Sequence, residues 1–353
     1  MLFTSFQMII AQTPTESRSW KKVALESPAF WYATSEAKEV ANHVLTYQSE
    51  EGGWPKNIRM QDSIPAEVLS EIRRGITTKS HYTPTIDNEA TTTEMMFLAK
   101  MYQATQDKRY RNAFYRGLNY LEAAQYPNGG WPQFYPLKKG YYSHITYNDN
   151  AIVNVMKLLK SIVDRDSMYL FVSSKSILAK VQRVYDAGLS NILQTQIYRH
   201  GQPTVWCAQH HEITLEPVSA RAFELESFSG RESAEIVYFL MSIQNPSPQI
   251  IKAIQGAVVW FKEHQIEGYR LETVTDEKGI SYKTLIPDAA AKPIWARFYD
   301  LETEKPFFVG RDGVKKFTVE EIDEERQKGY AWYCTEPQKV LKRYPSWEKK
   351  IAH

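Results

Sequence analysis

Two short stretches repeat each other in hard oxygen donors: Thr85-Ile86-Asp87-Asn88-Glu89-Ala90 and Thr146-Tyr147-Asn148-Asp149-Asn150-Ala151. Each precedes an amphipathic run and reads as a loop-to-helix junction. Calcium takes roughly six to eight oxygen ligands, and Asp87, Asn88 and Asp149 are of the right chemical type if the two junctions converge. The opposing explanation is structural. Asp and Asn are preferred helix N-caps, and a carboxylate there is favoured by the helix dipole, which itself opposes a cation unless two or more carboxylates outweigh it. Spacing alone leaves both open.

A third stretch, from Trp206 to Glu226, is dense in functional side chains for a loop: Gln209, His210, His211, Glu212, Arg221 and Glu224. His210-His211-Glu212 lacks the His-Glu-x-x-His spacing that sets two imidazoles on one helix face, which speaks against zinc. Ser229 and Glu232 fit a capping box opening the next helix, a structural signal. Arg221, Arg297 in Trp295-Ala296-Arg297-Phe298-Tyr299, and Arg311 in Phe307-Phe308-Val309-Gly310-Arg311 supply guanidiniums, the last two beside aromatic rings. A planar guanidinium grips carboxylates while neighbouring rings stack on sugars. Singly, each suits an ion-paired structural arginine; together they suit an acidic substrate.

Helices must position these groups. From Ser35 to Tyr47, Ala37, Val40, Ala41, Val44 and Leu45 recur at helical spacing, and amphipathic segments follow at about 63–75, 87–105, 107–124, 149–163, 176–193, 229–243 and 248–264. Strand alternation is confined to a hairpin around 268–288, turning at Asp276-Glu277-Lys278-Gly279, and a second pair at 306–317. The segment Gln48 to Asn57, containing Gly52-Gly53-Trp54-Pro55, recurs 77 residues later as Gln125 to Phe134, containing Gly129-Gly130-Trp131-Pro132. Gln194-Thr195-Gln196 with Trp206 is a weaker third copy. In the two strong copies a Gln ends a helix and glycines permit positive φ just past it. Helix pairs unable to bury their apolar stripes alone must stack on neighbours. Closing the stack gives a mainly α fold, an α/α toroid of helical hairpins with a few short strands near the C-terminal part. Its Gly-rich turns emerge at one end and line one mouth, where a cleft is expected.

The 353 residues, 43% hydrophobic and 24% charged, exclude wholesale disorder and fibrous architectures. A net charge of +2 provides no global basic field for nucleic acid. No run of about 20 apolar residues is present, so a membrane-spanning helix is excluded. The glycine signatures of nucleotide binding and the Gly-x-Ser-x-Gly elbow are absent. Aromatic residues make up 13%, many beside Gly, Pro and Asn as in sugar-binding clefts, with ordinary core packing as the competing explanation. Cys207 and Cys334 are too few for a disulfide scaffold. Residues 1–12 read as a secretory-signal remnant without a basic start, which makes 13–353 a single catalytic domain of a secreted or periplasmic protein, expected to be a monomer.

An ordered series of motifs resembles the family 10 pectate lyases: Gly-Gly-Trp-Pro-Lys-Asn at 52–57, Thr-Ile-Asp-Asn-Glu-Ala-Thr-Thr at 85–92, Asn-Gly-Gly-Trp-Pro-Gln-Phe-Tyr-Pro at 128–136, Ile-Thr-Tyr-Asn-Asp-Asn-Ala at 145–151 and Pro-x-x-Ala-Arg-Ala-Phe-Glu at 217–224. The series runs from about residue 20 to the C-terminus and includes Phe307 to Gly313 and Tyr330-Ala331-Trp332-Tyr333. Few of these motifs are specific alone; their order and spacing are. The resemblance implies an α/α toroid that cleaves polygalacturonate, endo-type, by calcium-assisted β-elimination to 4,5-unsaturated oligogalacturonides. By position in the motifs it implies Arg221 as catalytic base, and Asp87 and Asp149 as calcium-associated carboxylates with Asn88 beside them at the substrate. It further implies Arg297 and Arg311 as binders of substrate carboxylates.

Elimination removes the C5 proton of a galacturonate, which is weakly acidic while the adjacent carboxylate keeps its full charge. Cations on that carboxylate stabilise the enolate-like transition state by several kcal/mol. Arginine is normally protonated, so as a base it needs calcium and neighbouring cations to depress its pKa, which predicts an alkaline optimum. Two other functions fit the same residues: an inverting glycoside hydrolase using Asp87 and Asp149 as its carboxyl pair, and a non-catalytic pectate-binding protein with an aromatic cleft. A cyclase or prenyltransferase toroid would call for clustered Asp motifs or zinc, and neither is present.

Overall fold

The computed structural model describes residues 18–73, 80–279 and 281–351; the expected signal remnant at 1–12 lies outside them. Among the described residues, eleven α-helices carry the fold: α1 (Trp20–Glu26), α2 (Ser35–Tyr47), α3 (Ala66–Arg73), α4 (Thr92–Thr105), α5 (Lys108–Ala124), α6 (Ala151–Val163), α7 (Lys175–Gln194), α8 (Gly230–Leu240), α9 (Pro248–Glu263), α10 (Glu324–Gly329) and α11 (Pro337–Ile351). They form the expected α/α toroid. Helices α4, α6 and α8 pack side by side as an inner row, and α5, α7 and α9 each pair with one of them from outside. Helices α1 and α2 cover α4, and α11 packs on α8 and α9.

The two rows differ in sequence as their positions require. Inner α6 buries Ala151, Ile152, Val153, Val155, Met156, Leu158, Leu159 and Ile162, leaving one narrow polar face of Asn154, Lys157, Lys160 and Ser161. Outer α5 buries one stripe, including Tyr110, Phe114, Leu118 and Leu121, and turns its charges outward.

The repeated turns are equivalent down to single atoms, and the weak third copy is one of them. Gln48 Nε2 donates to Gly52 O at 2.8 Å and Ala113 O at 2.9 Å. Gln125 Nε2 donates to Gly129 O at 3.0 Å and Val184 O at 2.9 Å. Gln196 Nε2 donates to Thr204 O at 2.8 Å and Ala253 O at 2.9 Å. Each amide thus closes its own turn and ties it to the next outer helix. The Trp indoles repeat as well, Trp54, Trp131 and Trp206 donating to Val44 O, Leu121 O and Ile192 O, and Trp295 adds a fourth bond to Phe261 O. Gly129, at φ +89°, has room for no side chain, because a Cβ would stand 2.0 Å from Ala187 O of α7.

After each turn the chain returns over its Trp: Thr85, Thr146 and Ser229 donate their backbone N–H to the carbonyls of Trp54, Trp131 and Trp206. Two-residue ladders, Ile145–Thr146 with Gln209–His210 and Phe228–Ser229 with Phe298–Tyr299, stitch each repeat to the next. These returns deliver the chain to the N-termini of α4, α6 and α8, so the three junctions share one end of the ring. The expected hairpins are Tyr269–Thr275 with Ser281–Pro287 and Phe308–Val309 with Lys315–Lys316. A second, smaller core of Ala208, Phe223, Phe298, Phe307, Phe308, Val309, Ile322 and Trp332 sits under the Arg221 loop.

Several boundaries differ from the sequence pattern for local reasons. The helix expected from 87 starts at Thr92, because Asp87–Glu89 is a 3-10 turn in which Asn88 and Glu89 take φ +49° and +64°. The helix expected from 149 likewise starts at Ala151, after Asp149 and Asn150 at φ +50° and +62°. Helices α1 and α11 lack a clear sequence signal: α1 has only 7 residues, and α11 carries Pro345 in its interior. Both cysteines are buried and free.

Candidate active site at the mouth of the toroid

The paired junctions share backbone geometry, with Asn88 and Asp149 at φ +49° and +50° in equivalent left-handed positions. No side chain caps either 3-10 turn or the helices behind them, so the N-cap explanation for Asp87 and Asp149 does not hold. Both carboxylates instead line a cavity of about 120 Å³, together with Lys56, Gln133, Arg221 and Glu224.

Asp87 is 2% exposed. Its Oδ2 accepts from Lys56 Nζ at 2.5 Å and Gln133 Nε2 at 2.5 Å. Its Oδ1 is buried without a hydrogen-bond partner. Asp149 Oδ2 accepts from Asn148 Nδ2 at 2.7 Å. Burial raises the Asp149 carboxyl above its ordinary range, Arg297 opposes this, and the charges of Glu232 and Asp87 add to the rise. Asn88 Nδ2 donates to Asn57 Oδ1 at 3.0 Å, which ties the first junction to the first Gly-Gly-Trp-Pro turn.

The third wall is the Arg221 loop. Arg221 and Glu224 stand on one tight turn, closed by Glu224 N–H to Arg221 O at 2.8 Å. The guanidinium forks onto the Glu224 carboxylate, Nε to Oε2 at 2.7 Å and Nη2 to Oε1, over the rings of Phe223 at 4.8 Å and Tyr330 at 5.9 Å. The fork raises Arg221 above its ordinary value. That is opposite to the depression the sequence argument required, because a carboxylate, not a cation, is its immediate partner.

The three arginines are gathered around shared rings. Arg311 lies 5.5 Å from Phe223, outside the residues that line the cavity; its side chain is 63% exposed and paired with Glu325 at 3.0 Å. Arg297 lies 4.7 Å over Tyr330 but is 3% exposed. Its Nη2 donates to Glu232 Oε1 at 2.7 Å and Asn148 Oδ1 at 2.9 Å, so it faces the wall behind the cavity.

The comparisons with known proteins bear on this geometry. The pectic acid lyase family matches residues 48–341. The chain belongs to that family. A family 10 polysaccharide lyase from Cellvibrio cellulosa is 32% identical, with a TM-score of 0.78 over 93% of this chain and 95% of its own. A mutant of a family 10 polysaccharide lyase from the same organism, in complex with trigalacturonic acid, also matches at 32% identity and TM-score 0.78, over 95% of this chain and 96% of its own. No curated protein sequence matches the chain. Membership makes it a polysaccharide lyase, which sets aside the hydrolase and the non-catalytic binding protein.

Asp87 and Asp149 fit a hard divalent cation on two counts: the orphaned, buried Asp87 Oδ1, and two carboxylates whose charges oppose each other. Among the described residues no three His, Cys, Asp or Glu side chains form a metal cluster, so such a cation would need amide, water or substrate oxygens as well. The His-His-Glu run is structural. His210 is buried and held neutral, its pKa pushed down to about 4 by desolvation, with Nδ1 against Leu215 O and Nε2 accepting from Cys207 N. Glu212 pairs with His144 at 2.9 Å.

Sequence reasoning missed four contributors. Lys56 and Gln133 follow the Trp-Pro pairs of the repeated turns, and that repetition was the available signal. Glu232 was assigned to a capping box; Ser229 does cap α8, but the Glu232 carboxylate is spent on the Ser229 hydroxyl and Arg297. Tyr330 lies in the Tyr330-Ala331-Trp332-Tyr333 segment of the motif series, but nothing there gives it a role.

Proposed function

We propose that this lyase cleaves polygalacturonate by calcium-assisted β-elimination, with Arg221 as the base. The observation that carries the proposal is that Asp87, Asp149 and Arg221, from three separate chain segments, line one cavity. The similarity to a lyase bound to trigalacturonic acid supports an oligogalacturonide as ligand.

Asp87 and Asp149 would hold calcium, which neutralises the uronate carboxylate and acidifies C5–H. Lys56 at the cavity and Arg311, on the Phe223 ring that Arg221 also faces, supply further positive charge toward that carboxylate, and Asn88 a polar contact beside it. Arg297 acts from behind, fixing Asn148 and so the junction that carries Asp149. Arg221, in its neutral form, takes the C5 proton; the C–H electron pair becomes the C4–C5 double bond and the C4–O bond breaks. The departing oxygen takes a proton from water. Arg221 must be deprotonated to act, and its guanidinium is raised above its ordinary value, so activity belongs to alkaline pH.

Endo-type action, which the resemblance carried by the sequence motifs implies, is part of the same proposal. Polygalacturonate incubated with and without calcium, followed by ultraviolet absorbance of the unsaturated product, tests the proposal. Absorbance that rises equally under chelator, or that persists in Arg221→Ala, overturns it. We propose also that the chain acts outside the cytoplasm as a monomer.

A further inference from the structure

We propose that Glu224, backed by Tyr330, is a positioning residue that sets the proton affinity of Arg221 and with it the pH range of the lyase. The inference rests on the proposal that Arg221 is the base. Three geometric facts carry it. The fork places both oxygens of Glu224 on Arg221, and the two residues share one turn, so the pairing is fixed by local backbone and not by chance approach of long side chains. Glu224 is buried while the Arg221 side chain is 43% exposed, so the anion is anchored and the cation faces the cavity. Tyr330 donates its hydroxyl to Glu224 Oε1 at 2.7 Å, drawing charge from the oxygen that also receives Arg221 Nη2.

The other charged groups around Arg221 do not replace Glu224. Tyr141 lines the same cavity, and Lys56, Asp87 and Asp149 stand in its walls. Arg311 and Arg326 face the Phe223 ring at 5.5 and 4.7 Å, and both are paired with Glu325. Arg297 lies against Tyr330 and is spent on Glu232. Among the described residues Glu224 is the one carboxylate hydrogen-bonded to Arg221. For Glu224 itself, burial pushes the carboxyl up, but the Arg221 bond and charge and the Tyr330 hydroxyl win and hold it below its ordinary range. The anion therefore persists throughout the working range and always favours the guanidinium cation.

An opposite charge at hydrogen-bond distance shifts a pKa by about one to three units. Removing that charge makes Arg221 easier to deprotonate, so the ascending limb of the pH–rate profile moves toward lower pH. A purely structural role would lower the rate by one factor at every pH.

The test is kcat/KM on polygalacturonate with calcium, from neutral to strongly alkaline pH, for the wild type, Glu224→Gln, Glu224→Asp, Tyr330→Phe and Arg221→Ala. Glu224→Gln is expected to shift the ascending limb down by about one unit or more. Glu224→Asp, which keeps the charge, should hold the wild-type limb, and Tyr330→Phe should move it upward. A titration of the Arg221 Cζ resonance in selectively labelled protein reads the same shift without turnover. An unmoved limb and resonance in Glu224→Gln overturn the inference while Arg221→Ala is inactive. Activity retained in Arg221→Ala overturns the base assignment, a different result. If Glu224→Gln does not fold, the direction of the Tyr330→Phe shift decides: upward supports the inference and no shift overturns it.

Discussion

Asn148 Oδ1 accepts a hydrogen bond from Arg297 Nη2 at 2.9 Å, across a sequence separation of 149 residues. That bond joins the second oxygen-rich junction to the segment after α9. It also explains why Arg297 is buried: its charge is matched by Glu232 at 2.7 Å.

Removing one partner of such a buried pair leaves the other charge unpaired. Arg297→Ala is expected to cost about 3–5 kcal/mol in a denaturant unfolding series. Arg297→Lys keeps a charge but not the planar fork that reaches Asn148 and Glu232 together, so it should lose activity by a larger factor than it loses stability. Full activity in Arg297→Lys would show that the link to Asn148 does not serve the site.

Asp149 provides a second prediction, on calcium and pH. Its carboxyl is raised above the ordinary range by burial, so it takes up a proton at a higher pH than a solvated Asp. A proton there competes with a cation. The calcium concentration giving half-maximal activity should therefore rise as pH falls through the raised pKa, and level off above it. Asp149→Asn should need about tenfold more calcium or worse, and should lose most of that pH dependence. A calcium requirement independent of pH in the wild type would remove Asp149 from the metal site.

Much of this was legible in the sequence. The Gln and Trp of the repeated turns announce a stacked helical array, each Gln meeting two equivalent carbonyls and each indole one, and the duplicated junctions announce the cavity. The ionisation of the site was not legible. Arg221 was expected among cations, yet its partner is three residues away in its own motif, and nothing in the residue types says whether Glu224 turns toward Arg221 or toward solvent. Glu232 was misassigned for a similar reason: its spacing from Ser229 satisfies a capping pattern, and only the approach of Arg297 from a distant segment gives its carboxylate another use. The 3-10 starts at Asp87–Glu89 and Asn148–Asn150 were hidden because left-handed backbone at Asn and Asp carries no periodicity.

The repeat equivalence makes a third prediction. Gln48, Gln125 and Gln196 each satisfy two carbonyls, one of them on an outer helix, and a buried acceptor left without its donor costs about 1–3 kcal/mol. Gln196 is the most buried of the three, so Gln196→Ala is expected to destabilise most, by about 2–4 kcal/mol for its two lost bonds, with Gln48→Ala and Gln125→Ala milder because water reaches their sites. Urea midpoints of the three variants check the order. Equal and negligible losses would mean that the turns dock through Trp alone.

The fourth prediction concerns Glu94, in the first turn of inner helix α4. Its Oε1 accepts from Trp20 Nε1 at 2.7 Å, and its Oε2 is buried without a partner. Burial pushes the carboxyl from 4.5 up to about 7, against the helix N-terminal hydrogen bonds that favour the anion. Because the folded value lies above the unfolded one, folding takes up a proton between them. The favourable contribution is complete below the unfolded pKa, declines as pH rises toward the folded one, and has become a full cost of roughly 3 kcal/mol above it. The proposed alkaline elimination would work where that cost is complete. Glu94→Gln cannot ionise, so it should be more stable than wild type at pH well above 7 and lose that advantage in mild acid. Denaturant midpoints in the two pH ranges measure the difference. An effect of the same size in both would mean that Glu94 does not titrate in the folded chain, and that Trp20 holds it in one charge state throughout.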